Sequence, residues 1–302
     1  MRQIEIEWRP AGIRVTADLD EERNPNLVDL LWSKLPYNSL QNHALVSGDH
    51  LYHLVPHPEL IYTEPTMRVA DRTKEPDGTI FLSQLQHVGI KYGPLSEYLP
   101  AAPVGRVRAE DIALLKEAGA RCWESAYTSK EVVEVRVHRK DDPTPVGRLP
   151  RLPALSRAWL QELVEEIIGE TERIWLYPPE ELLDIHTGRI RSRAGSRDQY
   201  FSTQVFVNGE TRPLGYCALN GLIRLGQRPD LTLQALQLIT PNFVHTPAEF
   251  LGYCGLEKLR DYTERTLLAV RETRTKDEFI RVLWPLALYA NCLNTWNLHL
   301  FP

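Results

Sequence analysis

Residues 141–153, DDPTPVGRLPRLP, separate two stretches of chain with different hydrophobic periods. Before this segment apolar and polar residues alternate, the spacing of strands with one wet face. After it apolar residues recur every three or four positions, the spacing of helices with one buried stripe. Neither period can serve the other architecture, because a strand pattern scatters its apolar residues around a helix and a helical pattern puts them on both faces of a sheet. Two domains are therefore expected, residues 1–142 and 153–302. A chain of 302 residues with 43% hydrophobic content is large enough for a core in each.

In the first domain, strands are predicted over residues 4–8, 13–17, 43–47, 51–55, 79–82 and 132–138. Two helices interrupt them. Asn24-Pro25 reads as an N-cap followed by Pro at the first helical position, ahead of a stripe formed by Leu27, Leu30, Leu31 and Leu35, with Pro36 as the stop. The second helix covers about residues 109–122, with Ile112, Leu115, Ala118 and Cys122 on one side.

In the second domain, Ser156 is expected to cap a helix carrying Trp159, Leu160, Leu163, Val164, Ile167 and Ile168. Thr275 and Glu278 have capping-box spacing ahead of Phe279, Ile280, Leu283 and Trp284. Further helices are expected near residues 213–226, 230–239 and 255–272. Residues 189–210 read as a loop with one small hairpin over 201–207, because Gly and polar residues surround a short apolar run. Trp159, Trp175, Trp284 and Trp296 are expected in the core.

Several function classes are disfavoured. The net charge is −5 and the basic residues are not clustered, so a nucleic-acid footprint is lacking. The longest apolar run, residues 282–301, carries Pro285, Asn291, Asn294, Asn297 and His299, which suits a kinked helix buried in protein better than a membrane span. The four Cys are far apart and the N-terminus lacks a secretory h-region, pointing to reduced thiols and a cytoplasmic location. No Gly-x-Gly-x-x-Gly, Gly-Lys-Ser/Thr or Gly-x-Ser-x-Gly occurs, so neither a nicotinamide nor any other cofactor is expected. No metal site is expected either. On a strand His50 and His53 point to opposite faces, and Pro56 lies between His53 and His57, so these read as polar strand-end histidines.

One set of residues carries chemistry. His43 and Ser47 share a face if the strand is regular, and Gly48 follows, allowing a tight turn or close ligand approach. Tyr62, Glu64, Thr66 and Arg68 alternate in the same way, projecting a carboxylate beside a guanidinium; Tyr92-Gly93 follows Gln84, Gln86 and His87. Spacing alone leaves two readings open, a shared site on a barrel rim or a scatter of surface side chains.

The order Asn24-Pro25, Leu35-Pro36, His43-Ala44-Leu45-Val46-Ser47-Gly48, Glu64-Pro65-Thr66, Gly78-Thr79-Ile80-Phe81 and Tyr92-Gly93 resembles a family of small bacterial proteins with a cyclophilin-like barrel. With its helical half, the whole chain resembles the cucumopine and mikimopine synthases, opine-forming enzymes of root-inducing Agrobacterium plasmids. The resemblance implies an α+β chain: an N-terminal cyclophilin-like β-barrel carrying the active site, then an all-α helical bundle. It implies cofactor-independent condensation of L-histidine with 2-oxoglutarate by a redox-neutral Pictet-Spengler reaction, and it marks His43, Ser47, Gly48, Glu64, Tyr92 and Gly93 as motif positions.

Such a reaction needs a base for the ring proton and an acid for the imine. Glu64 is the expected base, with Tyr92 and His43 as acid or proton shuttle. Arg68, then Lys91, are the expected cations for the substrate carboxylates, with Ser47 and the Gly48 amide as neutral donors. The helical half is expected to be structural or dimerising, giving a homo-oligomer, with a dimer favoured. Two alternatives remain: a barrel that binds or isomerises prolyl peptides, and a synthase or lyase for another small amine and keto acid.

Overall fold

The computed structural model describes residues 1–142, 144–190 and 200–301. It divides into two compact units, Met1–Arg148 and Leu149–Pro302, the division falling inside the Pro-rich segment. In the first unit nine strands form one antiparallel sheet: β1 (Gln3–Arg9), β2 (Ile13–Leu19), β3 (Tyr37–Leu40), β4 (Asn42–His43), β5 (Gly48–Leu54), β6 (Thr79–Ser83), β7 (His87–Leu95), β8 (Ala102–Val107) and β9 (Glu134–Arg139). The spatial order is β3-β9-β1-β2-β8-β6-β7-β5-β4, so the edge strands β3 and β4 are neighbours in sequence and the sheet nearly closes on itself.

Period-two alternation is plain in β1 and β2, where Ile4, Ile6, Trp8, Ile13, Val15 and Ala17 point inward. They meet Leu27, Val28 and Leu31 of α1 (Pro25–Ser33) and Leu115, Ala118 and Cys122 of α3 (Ile112–Glu124) in one core. Asn24 stands at the N-cap of α1, but its side chain does not cap. It donates to the Pro103 carbonyl at 2.7 Å and accepts from the Met67 amide at 3.0 Å.

Side chains close the seam between the edge strands. Gln41, the residue between them, donates from Nε2 to the carbonyls of Asn42 and Tyr52, both at 2.9 Å, and its Oε1 accepts from Trp8 Nε1 at 2.9 Å. Tyr37 on β3 and His53 on β5 meet at 2.9 Å between Oη and Nε2. His53 is buried rather than a polar strand-end residue, and burial pushes its pKa down to about 3, so the ring is neutral.

The predicted alternation over residues 62–68 is not a strand. A short helix, α2 (Glu59–Tyr62), is closed by the Thr63 hydroxyl on the Glu59 carbonyl at 2.7 Å, and irregular chain follows to an isolated bridge between Val69 and Ala101. Pro65, which has no N–H to give a ladder, lies in the middle of it. Strands β3, β7 and β8 lacked a clean alternation; most of β7 is buried on both faces, which erases the period.

The second unit is helical: α4 (Ala158–Ile174), α5 (Glu180–His186), α6 (Tyr200–Arg212), a π-helical segment Pro213–Leu219, α7 (Asn220–Gln227), α8 (Leu233–Tyr253), α9 (Glu257–Glu272) and α10 (Lys276–Leu300). Helix α10 is buried almost throughout, as a bundle centre must be, with α4, α5, α6, α7 and α9 packed on it. Thr275 caps it as expected, accepting from the Glu278 amide at 3.0 Å, whereas Glu278 reaches back to the Arg274 amide at 2.7 Å. The hairpin expected over 201–207 is instead part of α6, where Val207 is fully buried and tertiary packing overrides the local Gly209 signal. The rest of that expected loop, residues 191–199, lies outside the described residues. Helix α8 runs on through Pro241 and Pro247, well past the expected end. Arg157, not Ser156, occupies the N-cap of α4, and Trp159 is 44% exposed, while Trp175, Trp284 and Trp296 are core. Among the described residues no helix is long and apolar enough to cross a membrane, and no group of His, Cys, Asp and Glu could hold a metal ion.

The seam generates a prediction. Gln41→Leu would leave the Trp8 indole N–H buried without an acceptor and two edge carbonyls without a donor. It is expected to lower stability by about 2–4 kcal/mol, read from urea denaturation.

Candidate active site

The site is built on the pairing of β5 with β7, in which His50, Leu51, Tyr52, His53 and Leu54 lie opposite Lys91, Ile90, Gly89, Val88 and His87. The register shifts between Gly48 and His50: Gly48 lies opposite Leu95 but His50 opposite Lys91, a bulge that sets three residues of β7, Tyr92, Gly93 and Pro94, against the single Asp49 of β5. Gly48 supplies the required backbone, at φ +87°, where a Cβ would meet the Pro94 carbonyl oxygen at 2.4 Å. Beyond the bulge the strand's two faces diverge in chemistry.

Towards the core, the structure brings two of the expected residues together. His43 Nδ1 donates to the Ala44 carbonyl at 2.8 Å, which leaves Nε2 to accept from the Tyr92 hydroxyl at 2.6 Å. Burial lowers the His43 pKa, offset by the Ala44 hydrogen bond and the Asp49 charge; burial, with Asp49 adding to it, raises that of Tyr92. Both groups are therefore neutral near pH 7. Tyr92 fits under α3 only because residue 119 is Gly, whose Cβ would lie 2.5 Å from the ring. Trp123, at the end of α3, lies edge-on to His43 with centroids 4.8 Å apart and stacks on Tyr127 at 3.8 Å.

On the reverse face a second set converges that the sequence reading passed over. His50 and Tyr52 of β5 stand beside His87 of β7, the Tyr52 and His87 rings 5.0 Å apart. Gly89 between them has no side chain, and a Cβ there would strike the His50 ring at 2.5 Å. Facing this row is the turn Arg72–Lys74. Asp71 caps it, accepting from the Thr73 amide at 3.0 Å and hydroxyl at 2.7 Å, and the Val69–Ala101 bridge pins it to the loop after β7. That arrangement aims the Arg72 guanidinium at the Glu97 carboxylate, with which it forms a close ion pair, and Arg72 Nε approaches the Glu97 carbonyl at 3.5 Å. Burial first, then the charges of Arg72, His87 and His43, push the His50 pKa down to about 3. One carboxylate, one guanidinium and a neutral imidazole thus lie together.

The remaining expected residues are elsewhere or otherwise engaged. The Ser47 carbonyl accepts from the Ser96 amide at 3.2 Å, holding the loop before the bulge to the loop that carries Glu97. Gly93 lies beneath Asp49, whose Oδ2 would be 2.2 Å from a Cβ. Lys91 is buried and paired with Asp77 at 2.7 Å, so its charge is already neutralised. Glu64 and Arg68 do pair, at 3.4 Å, but in irregular chain rather than on a strand face, and Gln84 bridges them. The Glu64 side chain is 75% exposed. Arg72 and Glu97 escaped notice because residues 25 apart in two loops share no period; the Asp71-x-Thr73 turn was the only local signal.

The family model for the cucumopine synthase C-terminal helical bundle domain matches residues 160–300. No curated protein sequence matches the chain. Among solved structures, that of McbB in complex with tryptophan is similar over 99% of this chain and 97% of its own, with 60% sequence identity and a TM-score of 0.97. Identity at that level over both units, together with the family model on the helical one, means that the chain belongs to the cucumopine synthase family.

Proposed function

We propose that the chain is a Pictet-Spengler condensing enzyme that joins an aromatic L-amino acid, L-tryptophan in the first instance, to a small carbonyl acid. The observation that carries this reading is the Glu97–Arg72 pair beside His50, Tyr52 and His87, in a relative of a protein solved with tryptophan bound. The amine attacks the carbonyl carbon and water leaves, giving an iminium. The ring carbon then closes on the iminium carbon, and the proton displaced from that ring carbon goes to a base. No electrons change hands. One carboxylate serves as base in the last step and, once protonated, as acid for the loss of water in the next cycle.

Glu97 is better placed for this work than Glu64. It sits against a largely buried guanidinium, while Glu64 is held at the surface by Arg68 and Gln84. Arg72 takes the part first given to Arg68, orienting an oxygen of the carbonyl acid through its planar fork. His43 and Tyr92 are both buried, so their part is to hold the Gly48–His50 bulge and Asp49 in place. L-Histidine with 2-oxoglutarate is the second reading, favoured by the cucumopine synthase match over the helical unit.

Three outcomes are expected. Purified protein given L-tryptophan and a small keto acid or aldehydo acid, without reductant, should yield a product whose mass is the sum of the two minus one water. Product from L-histidine and 2-oxoglutarate alone would favour the second reading, and no product from either pair would sink both. Glu97→Gln should lower turnover by about 100-fold or more, and Glu64→Gln by no more than about threefold, in steady-state kinetics; the reverse ranking would restore Glu64 as the base. Tyr92→Phe removes one buried hydrogen bond, at a cost of about 1 kcal/mol of stability, and should reduce turnover by less than about tenfold.

A further inference from the structure

Of the polar side chains around the Glu97–Arg72 pair, His50 is the anomaly. It is only 7% exposed, yet among the described residues neither nitrogen of its ring makes a hydrogen bond. Buried polar groups almost always have a partner, so one without any marks a place where something else supplies it. Nε2 is fully enclosed and lies against Gly89. An N–H turned towards that methylene would be an orphaned donor, whereas a lone pair there costs less. Because the ring is neutral, with its pKa pushed down to about 3, it carries one proton, and that proton belongs on Nδ1. His50 therefore offers one N–H, in a corner made electropositive by Arg72. With Arg72 paired to Glu97 and assigned to the carbonyl acid, the imidazole N–H is a further donor, available to the amino acid's own carboxylate.

We propose that His50 is a substrate-binding residue that donates from Nδ1 to the α-carboxylate of the amino acid, a role resting on the condensing reaction proposed above. The carboxylate holds the amino acid so that its amine faces the carbonyl partner next to Glu97. Gly89 is part of the device, since any side chain there would displace the ring.

The test compares an amino acid with the amine that lacks its carboxylate. Binding of L-tryptophan and of tryptamine is measured by calorimetry on the full-length protein and on His50→Leu and His50→Asn, with kcat and KM determined in parallel. His50→Leu should weaken L-tryptophan binding by about tenfold and leave tryptamine within about twofold, the loss expected for one hydrogen bond to a charged group. His50→Asn, which keeps an N–H at similar reach, should recover most of it. Equal effects on both ligands, or none on either, would mean that the ring packs the strand or faces only water, and would overturn the proposal. Binding without turnover in the wild type would sink the condensing reaction while still deciding the role of His50. Failure of the wild type to bind L-tryptophan, with L-histidine and histamine as the replacement pair, would sink both.

Discussion

The register shift that sets Asp49 of β5 against Tyr92, Gly93 and Pro94 of β7 is the constraint on which the rest of the first unit's chemistry depends. Extra residues on one strand of a pair are left out of the ladder and bend that strand, so one residue opposite can lie against more than one of them. The shift lets Asp49 lie over Gly93 and beside Tyr92, while His50, past the shift, lies over Gly89. The bulge is held on both flanks: the Ser47 carbonyl accepts from Ser96, and the Ala44 amide donates to the His50 carbonyl at 2.9 Å.

Electrostatics on the two faces run in opposite senses. On the core side, the carboxylate of Asp49 raises the pKa of both neighbours, His43 and Tyr92, in the same direction as burial for Tyr92 and against it for His43. On the reverse side burial, with Arg72 and His87 beside it and His43 across the strand, keeps His50 uncharged. A site that handles anionic substrates gains from neutral donors near one fixed ion pair, since each further buried charge would carry its own desolvation cost.

Much of the architecture was legible in the sequence. The change of period at residues 141–153 separated sheet from helix, and β1, β2, β6, α1, α3 and α10 followed from local pattern and capping. His43, Ser47, Gly48, Tyr92 and Gly93 marked the strand pair and the bulge. The failures share a physical cause. Residues 62–68 alternate in sequence but turn in space, because α2 and Pro65 remove the backbone donors a strand requires. Strand β7 shows little alternation because it is mostly buried on both faces. Arg72 and Glu97 come together only through pairing of two loops, which no periodicity encodes. In the helical unit, α6 was hidden by Gly209 and Asn208, whose local preference the burial of Val207 outweighs.

The near-closed sheet also bears on how the chain behaves at high concentration. Its two edge strands are its shortest, β3 with four residues and β4 with two, and the carbonyls of Asn42 and Tyr52 beside them accept from Gln41. An incoming strand from another molecule would find few free amides and carbonyls to template on, so the geometry that completes the barrel also guards it against edge-to-edge aggregation.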